Sequence, residues 1–203
     1  MVAAVDLVNY ALRAIGANRI TALNEGSKTA NAANDIYEMT RDHLLRQHPW
    51  NFATMRATLA ELGTTPSSGF DHQHGLPSDW VRTISVHSND AGTDALEYKE
   101  ETYSGQRVVL SNSSTVYLRY VGRVTDPNLY PPDFQVALSL ELAKRLAVAI
   151  PNSVSLKTDL DKDAETALLK AKSADAMGQS PEKRPAGSWV SARPGLNSSW
   201  FRP

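Results

Sequence analysis

Apolar residues recur with a helical period at the start of the chain. Val5, Val8, Leu12 and Ile15 fall at i, i+3, i+7 and i+10, one stripe of an amphipathic helix. Gly16 follows where a C-terminal cap belongs. Ser27 can cap a second helix that runs to about His48, where Pro49 forbids continuation. Its apolar side reads Ala30, Ala33, Tyr37, Thr40 and Leu44. The small residues at its start let another helix approach closely, and Tyr37 and Leu44 supply bulk.

From Trp50 the period shortens. Met55, Ala57 and Leu59 alternate with polar residues, which predicts a strand, although Phe52, Met55, Leu59 and Leu62 also fit a helical spacing. A loop rich in Pro, Ser and Gly spans Gly63 to about Ser78. Trp80, Ile84 and Val86 then share one face of a strand. "LEYKEETY" and "QRVVL" flank Ser104-Gly105, a two-residue hairpin signal. Val116, Leu118 and Tyr120 alternate with Tyr117, Arg119 and Val121 in a last strand. Five short strands with local turns suggest an antiparallel sheet or small sandwich.

The helical period returns after "DPNLYPPD". Pro131 and Pro132 suit the start of a helix, and Asp133 favours its dipole. The run Phe134 to Ile150 is apolar almost all round, with Val136, Leu140, Ala143 and Ala147 on one side and Leu138, Leu142, Leu146 and Ala149 on another. Such a helix is buried, in a bundle or at a subunit interface. Pro151 ends it. A last helix, from about Ser153 to Met177, has Leu156, Leu160, Ala164, Ala171 and Ala174 opposite its charges, and Gly178 stops it. The expected fold class is therefore α+β. Residues 1–50 plus 127–178 would form a four-helix bundle, 51–126 an inserted small antiparallel β domain, and 179–203 an extended C-terminal tail.

Composition narrows the function classes. The chain has 203 residues, 41% hydrophobic and 21% charged, with a formal charge of −1 and no cysteine. That length buries enough surface to fold without a staple. Thiolate nucleophiles, disulfides and cysteine-based zinc sites are excluded. The near-zero charge supplies no global field for DNA or an anionic membrane, and no apolar run reaches bilayer length. The opening Met-Val-Ala-Ala-Val-Asp lacks the basic n-region of a signal peptide, so a soluble protein made in the cytoplasm is expected.

Candidate chemistry is sparse. "FDHQHG" sets His72 and His74 beside Asp71, a pair that could begin a metal site, but no third His stands nearby and a polar loop is the simpler reading. His43 and His48 lie five apart on a helix and do not share a face. "NDAGTD" lacks the twelve-residue pattern of a calcium loop and reads as a turn. No nucleophile elbow, zinc-protease helix, P-loop or dinucleotide fingerprint occurs. No catalytic residue, metal ligand or cofactor is expected.

Charge patterning says more. Asp90, Asp94, Glu97, Glu100 and Glu101 face only Lys99 and make an acidic edge. The tail carries Lys183, Arg184, Arg193 and Arg202 against Glu182, together with Trp189, Trp200 and Phe201. A basic aromatic tail can stack on single-stranded nucleic acid. It can equally dock in a groove of another protein, where Trp and Arg are the usual anchors.

The run "DHLLRQHPWNFATMRATL" (Asp42–Leu59), preceded by Tyr37 and followed by Phe70 and "LPSDW" (Leu76–Trp80), resembles the head-to-tail adaptors of short-tailed bacteriophages, the tail tubular protein A or upper nozzle family. The opening "LVNYALRAIGANRITALNEGSKTANAANDIY" is similar to the start of that family, and the likeness covers about residues 4–178. It implies a structural virion protein of the neck and not an enzyme. Such adaptors form a ring, usually of about twelve copies, that joins the portal to the tail nozzle, with tail fibres as a further neighbour. The genome passes through the lumen without sequence-specific binding, and no membrane is involved. In this reading Pro49, Trp50 and Phe52 form the junction between bundle and β domain. Trp189, Trp200 and Phe201 anchor the tail in the portal, with Arg184, Arg193 and Arg202 pairing with acidic groups there. The tail could instead clasp a neighbouring adaptor. The runner-up is a nucleic-acid-binding module that uses the basic aromatic tail.

Overall fold

The computed structural model describes residues 2–66, 69–149 and 154–178. Helix α1 (Ala4–Ala14) begins where the Asp6 carboxylate accepts the Ala3 N–H at 2.8 Å, and ends before Gly16, whose φ of 69° only glycine adopts freely. Helix α2 (Lys28–Gln47) is capped as its sequence predicts, the Ser27 hydroxyl accepting the Ala30 N–H at 3.1 Å. Strands β1 (Thr54–Leu59), β2 (His72–Gly75), β3 (Trp80–His87), β4 (Tyr98–Tyr103), β5 (Gln106–Ser111) and β6 (Val116–Gly122) follow, then helices α3 (Pro132–Ala149) and α4 (Val154–Met177).

The strands form two three-stranded antiparallel sheets, ordered β1-β6-β3 and β2-β5-β4. Single bridges stitch both margins, Glu61 to His74 on one side and His87 to Ala95 on the other. The sheets therefore curl towards a flattened barrel. Its filling is Leu59, Leu76, Trp80, Val86, Val109, Val116, Leu118 and Tyr120. The β4–β5 hairpin turns at Ser104-Gly105 with φ of 48° and 79°, the left-handed pair that a two-residue turn requires. Strand β2 falls inside the stretch that reads as loop in the sequence. Gln73 and His74 are buried there, because the sheet pairs their backbone and their side chains have neighbours on both faces.

The four-helix bundle with an inserted β domain is overturned. The class is α+β, but α1, α2 and α4 each pack on α3, which acts as a hub. One hydrophobic cluster runs without a break from Leu12, Leu44 and Leu138 to Ala53, Val81, Val121 and Val124. The β1-β6-β3 sheet is thus a wall of the helical core, not a separate module. The cause lies in α3. Phe134, Leu138, Leu142, Ala143 and Leu146 spread over about half of its circumference and are all buried, so it needs cover on more than one side. A bundle helix presents one stripe to a shared axis; this one buries a wider face and leaves Val136 and Val148 exposed. Asp42 adds a polar tie, accepting Arg41 Nε and Arg123 Nε at 2.8 Å each and so linking α2 to the chain just after β6.

Candidate functional site

Pro49, Trp50 and Phe52 lie where the chain passes from α2 to β1. Helix α2 ends at Gln47, and His48 turns extended (φ −146°, ψ 146°), as a residue before proline must. The chain then doubles back so that Trp50, 1% exposed, sits under the end of its own helix. Its indole Nε1 donates to the Leu44 carbonyl at 2.9 Å. That carbonyl belongs to the last turn of α2, so the bond ties Trp50 to the end of the helix, a link that sequence alone did not reveal.

Around Trp50 lies an aromatic cluster. Phe134 packs edge-on to Trp50 with centroids 4.9 Å apart, and Phe52 meets Phe134 at 4.9 Å and Tyr130 at 5.7 Å. These are the tilted geometries that aromatic quadrupoles prefer. Burial holds the Tyr130 phenol well above its usual range, so it stays a donor, here to the Val124 carbonyl at 2.8 Å. Pro49, Trp50 and Phe52 thereby join the end of α2, the start of α3 and the first sheet.

A second layer comes from α4. Asp175 accepts the Asn51 backbone N–H at 3.0 Å and His48 Nε2 at 3.0 Å, while Asn51 Nδ2 donates to the Asp175 carbonyl at 2.7 Å. Sequence reasoning missed Asp175, Phe134 and Tyr130 as members of the junction. Asp175 reads as one more charge on the polar side of α4, and nothing in the periodicity separates it from a solvated one.

Helix α4 finishes at Met177 beside this junction, and residues 179–203 continue from there. The proposed anchors Trp189, Trp200, Phe201, Arg184, Arg193 and Arg202 lie outside the described residues. Elsewhere the helical layer exposes large apolar side chains: Tyr10 on α1, and Val136 and Val148 on α3. A groove of about 290 Å³ between α1 and α3 is lined by Val2, Leu7, Tyr10, Pro132 and Val136.

The remaining sequence candidates separate. His72 Nδ1 meets Glu61 Oε1 at 2.6 Å, while His74 turns into the space between the sheets and its Nε2 donates to the Ser113 carbonyl at 3.0 Å. Among the described residues no group of three or more His, Cys, Asp or Glu is placed to hold a metal ion. "NDAGTD" is a turn, with Asn89 Oδ1 accepting the Thr93 N–H at 3.1 Å. Of the acidic edge, Glu100 and Glu101 lie on strand β4, exposed along its length, while Asp90, Asp94 and Glu97 precede it. No protein-family model matches this chain, and no curated protein matches it.

Proposed function

We propose that this chain is a structural virion protein, a ring-forming head-to-tail adaptor that joins a portal to a tail nozzle and leaves a lumen for the genome. The observation that carries the reading is the junction. "HPWNFA" is the most specific part of the resemblance, and its residues weld the end of α2, the start of α3 and the last turn of α4 onto one sheet. A subunit that transmits strain between head and tail needs its layers to move as one body, and a dry aromatic contact of this kind supplies that stiffness. The exposed Tyr10, Val136 and Val148 are suited to contacts between neighbouring copies. The C-terminal segment, with Trp189, Trp200 and Phe201 as anchors and Arg184, Arg193 and Arg202 as ion-pair donors, is the portal-binding element. A ring amplifies a weak single-tail contact many-fold, since each further tail engages a surface already held in place.

Electron microscopy of the purified protein, alone and mixed with portal-bearing heads that lack it, tests the reading. Rings seated beneath the portal are expected, and deletion of residues 179–203 should abolish seating. Unchanged attachment of the truncated protein would remove the tail from the interface. Monomers that bind single-stranded oligonucleotide, with affinity falling steeply as salt rises, would replace the adaptor with the nucleic-acid-binding module.

A further inference from the structure

The outward face of the β1-β6-β3 sheet changes character along its length. Near the helices it is apolar, and beyond their reach it becomes an array of donors. The strand register sets Arg56 directly opposite Arg119, with Ser85 next to Arg119 on the other side. One step along, Thr58 faces Tyr117, and Tyr117 faces His87. Two rows of three donor-bearing side chains therefore tile one face, with neighbouring strands about 4.8 Å apart.

The loop from Asn89 to Gly92 roofs this floor and encloses a cleft of about 520 Å³. The roof is held by its own bonds: Ser88 N–H to the Asp94 carbonyl at 3.0 Å, and Thr93 N–H to Asn89 Oδ1 at 3.1 Å. No carboxylate stands on the floor. Asp90, exposed in the roof, is the carboxylate of the lining.

Two features make this more than a polar surface. Arginines directly opposite one another on antiparallel strands repel, and a sheet gains nothing from the pair unless something of opposite charge lies between them. Arg119 Nε and His87 Nδ1 are also both shut off from solvent and have no hydrogen-bond partner. A buried polar atom without a partner is costly to keep. Both atoms belong to side chains that line this same cleft.

We propose that the cleft is an oxyanion site that holds a phosphate group. The Arg119 guanidinium supplies one charge-assisted hydrogen bond, Arg56 a second cation across the strand, and the Tyr117 and Ser85 hydroxyls and the His87 ring line the cleft around them. Charge-assisted bonds of this kind are the strong ones, and a tetrahedral anion accepts from several directions at once. The proposal does not depend on ring formation.

The test is nitrogen–proton NMR of the arginine Nε–H groups in the full chain while inorganic phosphate is added at constant ionic strength. A saturable shift of the Arg119 resonance is expected, half complete at about 1–10 mM, whereas chloride in its place leaves it unmoved. Arg119→Gln and Arg56→Gln should each weaken phosphate binding, followed by the backbone amides of residues 89–92, by roughly tenfold, the loss of one charge-assisted contact. Arg56 is exposed, so its variant keeps the fold and the comparison stands even where Arg119→Gln is unstable. A mononucleotide and a single-stranded oligonucleotide are the further arms. Equal affinity for phosphate and mononucleotide identifies a free phosphate group as the ligand, and tighter binding of the oligonucleotide identifies a backbone phosphodiester. An Arg119 resonance that ignores phosphate, or variants that respond like the wild type, would overturn the site.

Discussion

Val121 and Arg119 are two residues apart on β6 and point to the same side of the same sheet. Val121 is completely buried against the helices, in one cluster with Leu44, Trp50 and Leu138. Arg119 lies past the edge of the helical layer, opposite another arginine and with an unpartnered Nε. One end of this face is dry and apolar; the other is polar and holds buried polar atoms without partners. The difference shows that the sheet's outer face has no single character. The helices assign it, by covering some rows and leaving others.

The contrast can be broken most severely at the dry end. Trp50→Ala removes a buried indole, its three aromatic neighbours' contacts and its bond to the Leu44 carbonyl, and should cost about 3–5 kcal/mol in chemical denaturation. A loss under about 1 kcal/mol would mean that the junction is far looser than its packing implies. Asp175→Ala follows. It removes the carboxylate that accepts the Asn51 N–H and the His48 ring, and a loss of roughly 2 kcal/mol is expected. Asp175→Asn, which retains an acceptor, should restore part of it.

At the polar end the sign reverses. Arg56→Gln relieves the cross-strand repulsion and should stabilise the protein in phosphate-free buffer by roughly 0.2–1 kcal/mol. Added phosphate should shrink or invert that advantage, which thermal melts with and without phosphate would show. A destabilised variant in phosphate-free buffer would mean that the two arginines are not in conflict.

The smallest effect lies away from both ends, in the link between α1 and α2. Hydrogen bonds from Thr21, then from Ser27, hold the Glu25 carboxyl at about 2 against an ordinary 4.5. A depressed carboxylate contributes above its unfolded value and loses that contribution as pH falls through its folded one. The Thr21 and Ala22 amides should therefore keep their native chemical shifts at pH 5 and change as the pH falls through about 2. Glu25→Gln should abolish the change. Because Glu25 is exposed, global stability should hardly respond.

Much of the local structure was legible from residue order. Ser27, Pro49, Gly16 and the Ser104-Gly105 pair act within a few residues of themselves, so each marks its cap, break or turn wherever the chain goes. Alternation found β1, β3 and β6 for the same reason. Strand β2 was missed because four residues among Gly, Ser and Pro carry no period, and only pairing with β5 makes them a strand. The bundle was expected because each helix, taken singly, has the stripe a bundle needs. How many sides of α3 receive cover is not a property of α3 alone.

The sites divide along the same line. "HPWNF" announces a break and a wedge, and the sequence by itself determined that aromatic residues would crowd the end of α2. Asp175, 124 residues from its partner Asn51, entered only when α4 folded back. Arg56 and Arg119 look like ordinary solvent-facing positions in two distant strands. The antiparallel register brought them opposite each other, and the helices, reaching Val121 but not Arg119, left them uncovered. Short-range rules follow from covalent geometry and side-chain chemistry, which the sequence carries whole. Which charged groups become neighbours depends on contacts closed over long stretches of chain, and only the tertiary structure decided that.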